Sequence, residues 1–240
     1  MQPRRIIRKL TISSAAIALL CGVPSSRACA QELKLYPVDE AAKDPSFKRF
    51  RDRLILAVKK HDRRFLLSIL HPNIRNSFGG DGGVKEFVSM WELNSPTSKV
   101  WSELLEVLSL GGSFKVQQGK KYFEAPYVSS RWDAIQDKLP AAGDAFSYSA
   151  IIAANVPAYK MPTLASPVVV YLSYDVVEVD YERSISAPSE SEELLWVKIK
   201  TLKGQQGYVQ AGKIRSAVGQ RAYFRKIRGK WLMDAFLAGD

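Results

Sequence analysis

Trp196-Val197-Lys198-Ile199-Lys200, then Lys203-Gly204-Gln205-Gln206-Gly207, then Tyr208-Val209 is the stretch whose reading decides the fold. Val197 and Ile199 alternate with Lys198 and Lys200, the period of a strand that buries one face. A glycine-bearing break follows and the alternation resumes, so the stretch predicts a β-hairpin of a small barrel. Such a barrel headed by a tryptophan points to a binding module and not to an active site.

Working outward, the same alternation, rich in Val, Tyr and Ile, runs from about residue 148 to 236, whereas residues 44–108 repeat every three or four positions. Asp44-Pro45 reads as an N-cap followed by proline at N1, with Phe47, Phe50, Leu54 and Val58 as the apolar stripe and Lys48, Arg51, Asp52, Lys59 and Asp62 as the wet face. Asp62 is placed to cap a second helix through Phe65, Leu66, Ile69 and Leu70, ended by His71-Pro72. Ile74-Arg75-Asn76-Ser77-Phe78 then leads, extended, into the turn Gly79-Gly80-Asp81-Gly82-Gly83 before a helix running from Val84 to Trp91. Phosphate-loop spacing is absent there, and Asp81 reads best as that helix's cap. Asn94-Ser95-Pro96 closes it, and Val100, Leu104, Leu105 and Leu108 mark a further helix with Ser98 as cap and Gly111-Gly112 as stop. Ser113-Phe114-Lys115-Val116 and Tyr122-Phe123 are extended, residues 127–132 form a strand or a short helix, and residues 140–144 form the boundary turn.

The first thirty residues have the layout of an export signal. Arg4, Arg5, Arg8 and Lys9 precede the apolar run from Ile12 to Leu20, and Ala28-Cys29-Ala30 has the small-x-small form of a cleavage site. Arg4-Arg5 leaves Sec and twin-arginine export both open. The run is well short of the ~20 apolar residues of a span, and Leu20 before Cys21 lacks the small residue of a lipid-attachment box, so a soluble periplasmic product cut near Ala30 is expected. Both cysteines fall in the removed part, which excludes disulfides and a thiolate nucleophile from the mature chain. Removing the leader's five basic residues from the full-length +11 leaves 30 basic against 24 acidic, a net +6. That charge suits contact with anionic envelope polymers or headgroups as well as plain solubility, and export makes nucleic acid an implausible partner.

Two family resemblances rest on these residues. Ser149-Ala150-Ile151-Ile152, Asn155-Val156-Pro157-Ala158, Val168-Val169-Val170-Tyr171-Leu172, Val176-Val177-Glu178-Val179, the opening stretch with Gly204 and Gly207-Tyr208-Val209, and Lys213-Ile214 together resemble the bacterial SH3-like (SH3b) family over about seventy residues. Pro157 and Lys160-Met161-Pro162 depart from it, where arginine and a Gly-Pro turn are usual. The resemblance implies a small barrel that recognises peptide or cell-wall material. Residues 44–78, with Gln220-Arg221-Ala222-Tyr223-Phe224-Arg225-Lys226-Ile227, the Arg228-Gly229-Lys230 turn and Trp231-Leu232-Met233-Asp234-Ala235-Phe236, more loosely resemble the NTF2-like, or cystatin-like, α+β family. Two arrangements stay open: the barrel inserted into a discontinuous first domain, or two sequential domains with the tail extending the barrel's sheet. The Phe78–Gly83 turn, Ala125-Pro126-Tyr127 and the last five residues also resemble bacterial proteins described only as SH3 domain-containing, a label that implies architecture and no activity.

The expectation is therefore an α+β chain: a signal peptide at 1–30, a helix-rich α+β domain at 31–144, an SH3-like barrel at 145–216 and a closing hairpin at 217–240 packed on either. No catalytic residue, metal ligand or cofactor is expected. His61 and His71 are the only histidines, and neither has ligand-type neighbours at metal spacing. No Gly-x-Ser-x-Gly, His-Glu-x-x-His or Cys/His arrangement is present. Trp196 reads as a core plug or barrel-end lid, as an exposed platform, or as neither, and Tyr174, Tyr181 and Tyr208 complete the candidate ligand-binding set. Residues 186–193 read as an acidic binding edge or as a solvated loop. The leading function is a non-catalytic periplasmic binding or adaptor protein whose partner is a peptidoglycan stem peptide or an envelope protein. One alternative is a small-ligand or enzymatic NTF2-like pocket using His71, Arg75, Asp81 or Trp91. Another is a purely structural barrel. Oligomeric state is open.

Overall fold

The computed structural model describes residues 32–140, 144–186 and 194–239. Residues 1–31, which include the expected signal peptide and both cysteines, residues 141–143 of the boundary turn, residues 187–193 of the polar loop and Asp240 lie outside the described residues.

Helices come first, with their caps where side chains can satisfy the free N–H groups of a first turn. In α1 (Pro45–Lys59) Asp44 accepts from the Ser46 and Phe47 amides, with Pro45 at N1. Phe47, Leu54 and Val58 are buried. Arg51, expected on the wet face, is instead half-buried by a two-pronged pair with Asp39. Asp62 caps α2 (Arg63–Ser68) through the Phe65 amide. That helix stops before His71-Pro72, which lie within β1 (Leu70–Arg75). Proline is tolerated there because β1 is an edge strand.

Further corrections concern α3 (Gly83–Met90) and α4 (Val100–Ser109). Gly82, not Asp81, occupies the N-cap of α3, no side chain caps it, and Asp81 is exposed. The helix ends at Met90, ahead of Asn94-Ser95-Pro96. Lys99 holds the N-cap position of α4, while the Ser98 hydroxyl, one residue earlier, accepts from the Val100 amide at 3.4 Å and donates to the Trp91 carbonyl.

The hairpin β2 (Ser113–Gln117) and β3 (Lys120–Ala125) leads to two short helices, α5 (Tyr127–Ser130) and α6 (Asp133–Gln136). Seven strands follow: β4 (Tyr148–Ile151), β5 (Val156–Tyr159), β6 (Val168–Leu172), β7 (Val176–Ser186), β8 (Leu194–Thr201), β9 (Gln206–Gln210) and β10 (Ile214–Ser216). The chain closes with β11 (Arg221–Ile227) and β12 (Lys230–Leu237). The β8–β9 loop carries Gly204 at φ +88° and the last hairpin turns through Arg228 and Gly229, both at positive φ. Positive φ is the turn geometry whose twist matches that of the flanking strands, and glycine adopts it without a Cβ clash.

These strands form two sheets. Five lie in the order β1-β12-β11-β3-β2, with β1 parallel to β12 and the other neighbours antiparallel, so the closing hairpin pairs with strands from before residue 126. The seven strands between form a curled antiparallel half-barrel in the order β10-β4-β7-β8-β9-β5-β6. The fold is thus mixed α+β.

Strand parity decides where each core sits. Phe123, Ala222, Phe224 and Met233 turn one face of the five-stranded sheet onto Phe47, Leu54, Leu104 and Leu108 of the helices, forming one buried hydrophobic cluster. Val156, Ala158, Val177, Val197, Ile199 and Val209 fill the inside of the curl. A third cluster, including Leu35, Tyr127, Trp132, Ile135, Tyr148 and Ala217, joins the two units. The extended segment ahead of α1 straps them: Val176 donates to the Leu33 carbonyl at 2.8 Å, Leu35 to Tyr174 at 2.8 Å, and Gly112 to Val38 at 2.9 Å.

Candidate functional site

Because Val197 and Ile199 point into the curl, Trp196, Lys198 and Lys200 must share its outer face. Register carries that face across the sheet. Trp196 stands opposite Gln210, Lys198 opposite Tyr208, and Tyr208 opposite Tyr159. Tyr171 stands opposite Pro157, on the same side as Tyr159. Trp196, Tyr208, Tyr159 and Tyr171 thereby line one face across β8, β9, β5 and β6. Tyr159 and Trp196 meet edge to face at 5.7 Å, and the Lys198 ammonium lies 4.6 Å from the Tyr208 ring centre. Trp196, Tyr208 and Tyr159 are half-buried and Tyr171 is 65% exposed. A neighbouring groove of about 210 Å³ is lined by Glu178, Asp180, Arg183, Lys198 and Lys200 among others.

The other two tyrosines of the candidate set are elsewhere. Tyr174, at φ +59°, packs its ring on Tyr36 at 5.6 Å where the strap crosses. Tyr181 is exposed on β7, its hydroxyl 3.4 Å from that of Ser149. Tyr159 and Tyr171 join the stripe from outside that candidate set. Their signal is the alternation Val156-Pro157-Ala158-Tyr159, which sets Tyr159 on the side away from Ala158.

Of the alternative set, His71 and Arg75 share β1, Asp81 is in the exposed turn, and Trp91 packs on Phe236 at 5.0 Å. His71 Nδ1 accepts the Asn73 amide at 3.1 Å and lies 4.0 Å from the Asp234 carboxylate. The four do not converge, and the helix-facing side of the sheet carries the buried cluster of Phe47, Phe123 and Phe224.

A cleft does open on the opposite face of the five-stranded sheet. Its volume is about 370 Å³, and an adjoining pocket of about 240 Å³ shares Arg75, Gln117, Tyr122 and Tyr223 with it. Strand alternation explains the lining: Tyr122 and Glu124 flank core-facing Phe123, as Arg221 and Tyr223 flank core-facing Ala222. Glu124 is 5% exposed, and burial pushes its carboxyl above the ordinary range against the pull of Lys115 and Arg221. The Lys115 ammonium sits 2.7 Å from Asp133 and 3.6 Å from Glu124. Arg221 Nε donates to the Tyr223 hydroxyl at 3.0 Å, and that hydroxyl donates to Glu124 at 3.3 Å. Burial also raises the Tyr223 phenol, with the charge of Glu124 adding to it. Tyr122-Phe123 alone is too short a signal to reach Glu124; carrying its alternation two residues further puts that carboxylate between two core residues, Phe123 and Ala125.

Among the described residues no group of His, Cys, Asp or Glu could hold a metal ion, and no helix is long and apolar enough to cross a membrane. No protein-family model, curated protein or solved structure matches the chain.

Proposed function

We propose that this chain is a non-catalytic binding protein of the bacterial periplasm, exported by its first thirty residues, whose curled sheet is an SH3-like barrel that recognises peptide or cell-wall material. The observation that carries this reading is the outer-face stripe of Trp196, Tyr208, Tyr159 and Tyr171 beside a charged groove. Rings held in place by a strand lose little side-chain freedom on binding, and each offers a large contact area. Lys198, Lys200, Glu178 and Asp180 supply hydrogen-bonding groups along the same face, as a peptide backbone or an amidated sugar requires.

The NTF2-like description of the five-stranded layer is supported by the way residues from both ends of the chain share one sheet. An enzymatic pocket inside that layer has no such support, because His71, Arg75, Asp81 and Trp91 are dispersed over β1, an exposed turn and the end of α3. Co-sedimentation with purified peptidoglycan tests the proposal: the chain pellets saturably, and Trp196→Ala with Tyr208→Ala abolishes pelleting while the circular dichroism spectrum is retained. Equal pelleting of the double variant rejects the stripe as the binding surface.

A further inference from the structure

The cleft behind the five-stranded sheet lies outside the stripe and outside the helix-facing core. Its charges are unevenly satisfied. Asp133 pairs with Lys115, Glu124 with Lys115 and the Tyr223 hydroxyl, and Asp234 with Arg225. Arg221 is committed to Tyr223 and to the carbonyls of Gly219 and Gly239. Arg75 is different: among the described residues its guanidinium makes no hydrogen bond or ion pair, and its contact is with the Tyr223 ring, 5.7 Å from the ring centre. A guanidinium seated on a ring keeps its N–H groups free for the two parallel hydrogen bonds that a carboxylate or phosphate accepts.

The walls argue for more than a bare anion. Tyr122 and Tyr223 lie 5.8 Å apart with their planes tilted by 37°, and the rings of Phe78 and Trp132 also line the cleft. Its volume falls at the low end of the ~300–1,000 Å³ usual for small-molecule sites, enough for one ring with a short substituent. From this arrangement we infer that the cleft binds a small organic acid, its carboxylate on Arg75 and its flat apolar body against Tyr122 and Tyr223. The buried Glu124, held by Lys115 and Tyr223, would accept a hydrogen bond from any hydroxyl or amine on the ligand.

Calorimetric titration of the full chain with benzoate, benzamide and inorganic phosphate tests the inference. Benzoate should bind saturably. Benzamide, which keeps the ring and loses the charge, and phosphate, which keeps the charge and loses the ring, should each bind at least about tenfold more weakly. Arg75→Gln should weaken benzoate by about tenfold or more, the expected loss for a charge-assisted pair, and Arg75→Lys by less. Arg75 is exposed at a strand end, so both variants should fold as the parent does. Equal affinity for benzamide or for phosphate, an unchanged benzoate affinity in Arg75→Gln, or no benzoate binding at all would each overturn it. The cleft shares no residue with the stripe, so Trp196→Ala should leave benzoate binding intact whatever its effect on peptidoglycan.

Discussion

The indole N–H of Trp231 donates to the hydroxyl of Ser46 at 3.0 Å, tying the closing hairpin to the first turn of α1 across 185 positions of chain. Ser46 also donates to Asp44, whose carboxylate caps the same helix, so one small network holds both ends of the five-stranded layer. The Trp231 ring is buried and meets Phe47 at 4.8 Å. Trp231→Ala should therefore cost about 3–5 kcal/mol, the usual loss for truncating a large buried aromatic. Trp231→Phe keeps most of the packing and should cost less, since a single neutral hydrogen bond contributes about 1 kcal/mol. Urea unfolding of both variants measures the difference.

Asp44→Ala removes the acceptor for two amides at the start of α1 and should cost about 1 kcal/mol. Asp44→Asn, which can still accept, should recover most of it. The same unfolding experiment distinguishes them.

Glu124 makes stability depend on pH in a direction opposite to that of a paired surface carboxylate. Burial holds its folded pKa above the unfolded value near 4.5, so the folded state favours the protonated form. The unfolded chain gives up its proton first, and the contribution, full below the unfolded value, is lost as pH rises through the folded one. Glu124→Gln should therefore be more stable than the parent at pH 7, with the gap closing as pH falls below 4.5. Thermal unfolding across pH 3.5–7.5 reads this directly, and a variant less stable than the parent at pH 7 whose deficit closes as pH falls would show that the ion pair with Lys115 outweighs burial.

Tyr127 belongs to the cluster that joins the two units, and its hydroxyl has no hydrogen-bond partner among the described residues. Burial pushes the phenol pKa up to about 12. Tyr127→Phe removes an unsatisfied polar atom without changing the ring, so stability should hold or rise by up to about 1 kcal/mol. A loss larger than that in chemical denaturation would mean that the hydroxyl is satisfied in solution.

Local chemistry was the legible part of this chain. Asp44-Pro45, Asp62 and the alternation around Val197 and Ile199 specify their caps and strands from neighbours a few residues away, and those elements form where the residues dictate. Asp81 and His71-Pro72 misled because the turn and the strand at those positions answer to distant partners: β1 is stabilised by β12, about 160 positions later. The same is true of the sites. Trp196 and Tyr208 could be named together because one hairpin joins them, whereas Tyr159 reaches the stripe only through register. Arg75, Glu124 and Arg221 share a cleft only because β1, β3 and β11 share a sheet, a pairing no local pattern encodes.

Trp196 decides between a binding surface and a barrel that merely packs. It is half-buried, and its ring contact is with Tyr159, so Trp196→Ala should lower stability by only about 0.5–1.5 kcal/mol, the scale of one aromatic pair. The most direct measurement takes peptidoglycan affinity and the urea midpoint on the same preparation of Trp196→Ala and parent. Affinity reduced tenfold or more with a small change in midpoint is the result the proposed function requires. Undiminished binding, or no binding by the parent, together with a loss of several kcal/mol in the variant, would contradict it and leave Trp196 as a structural plug.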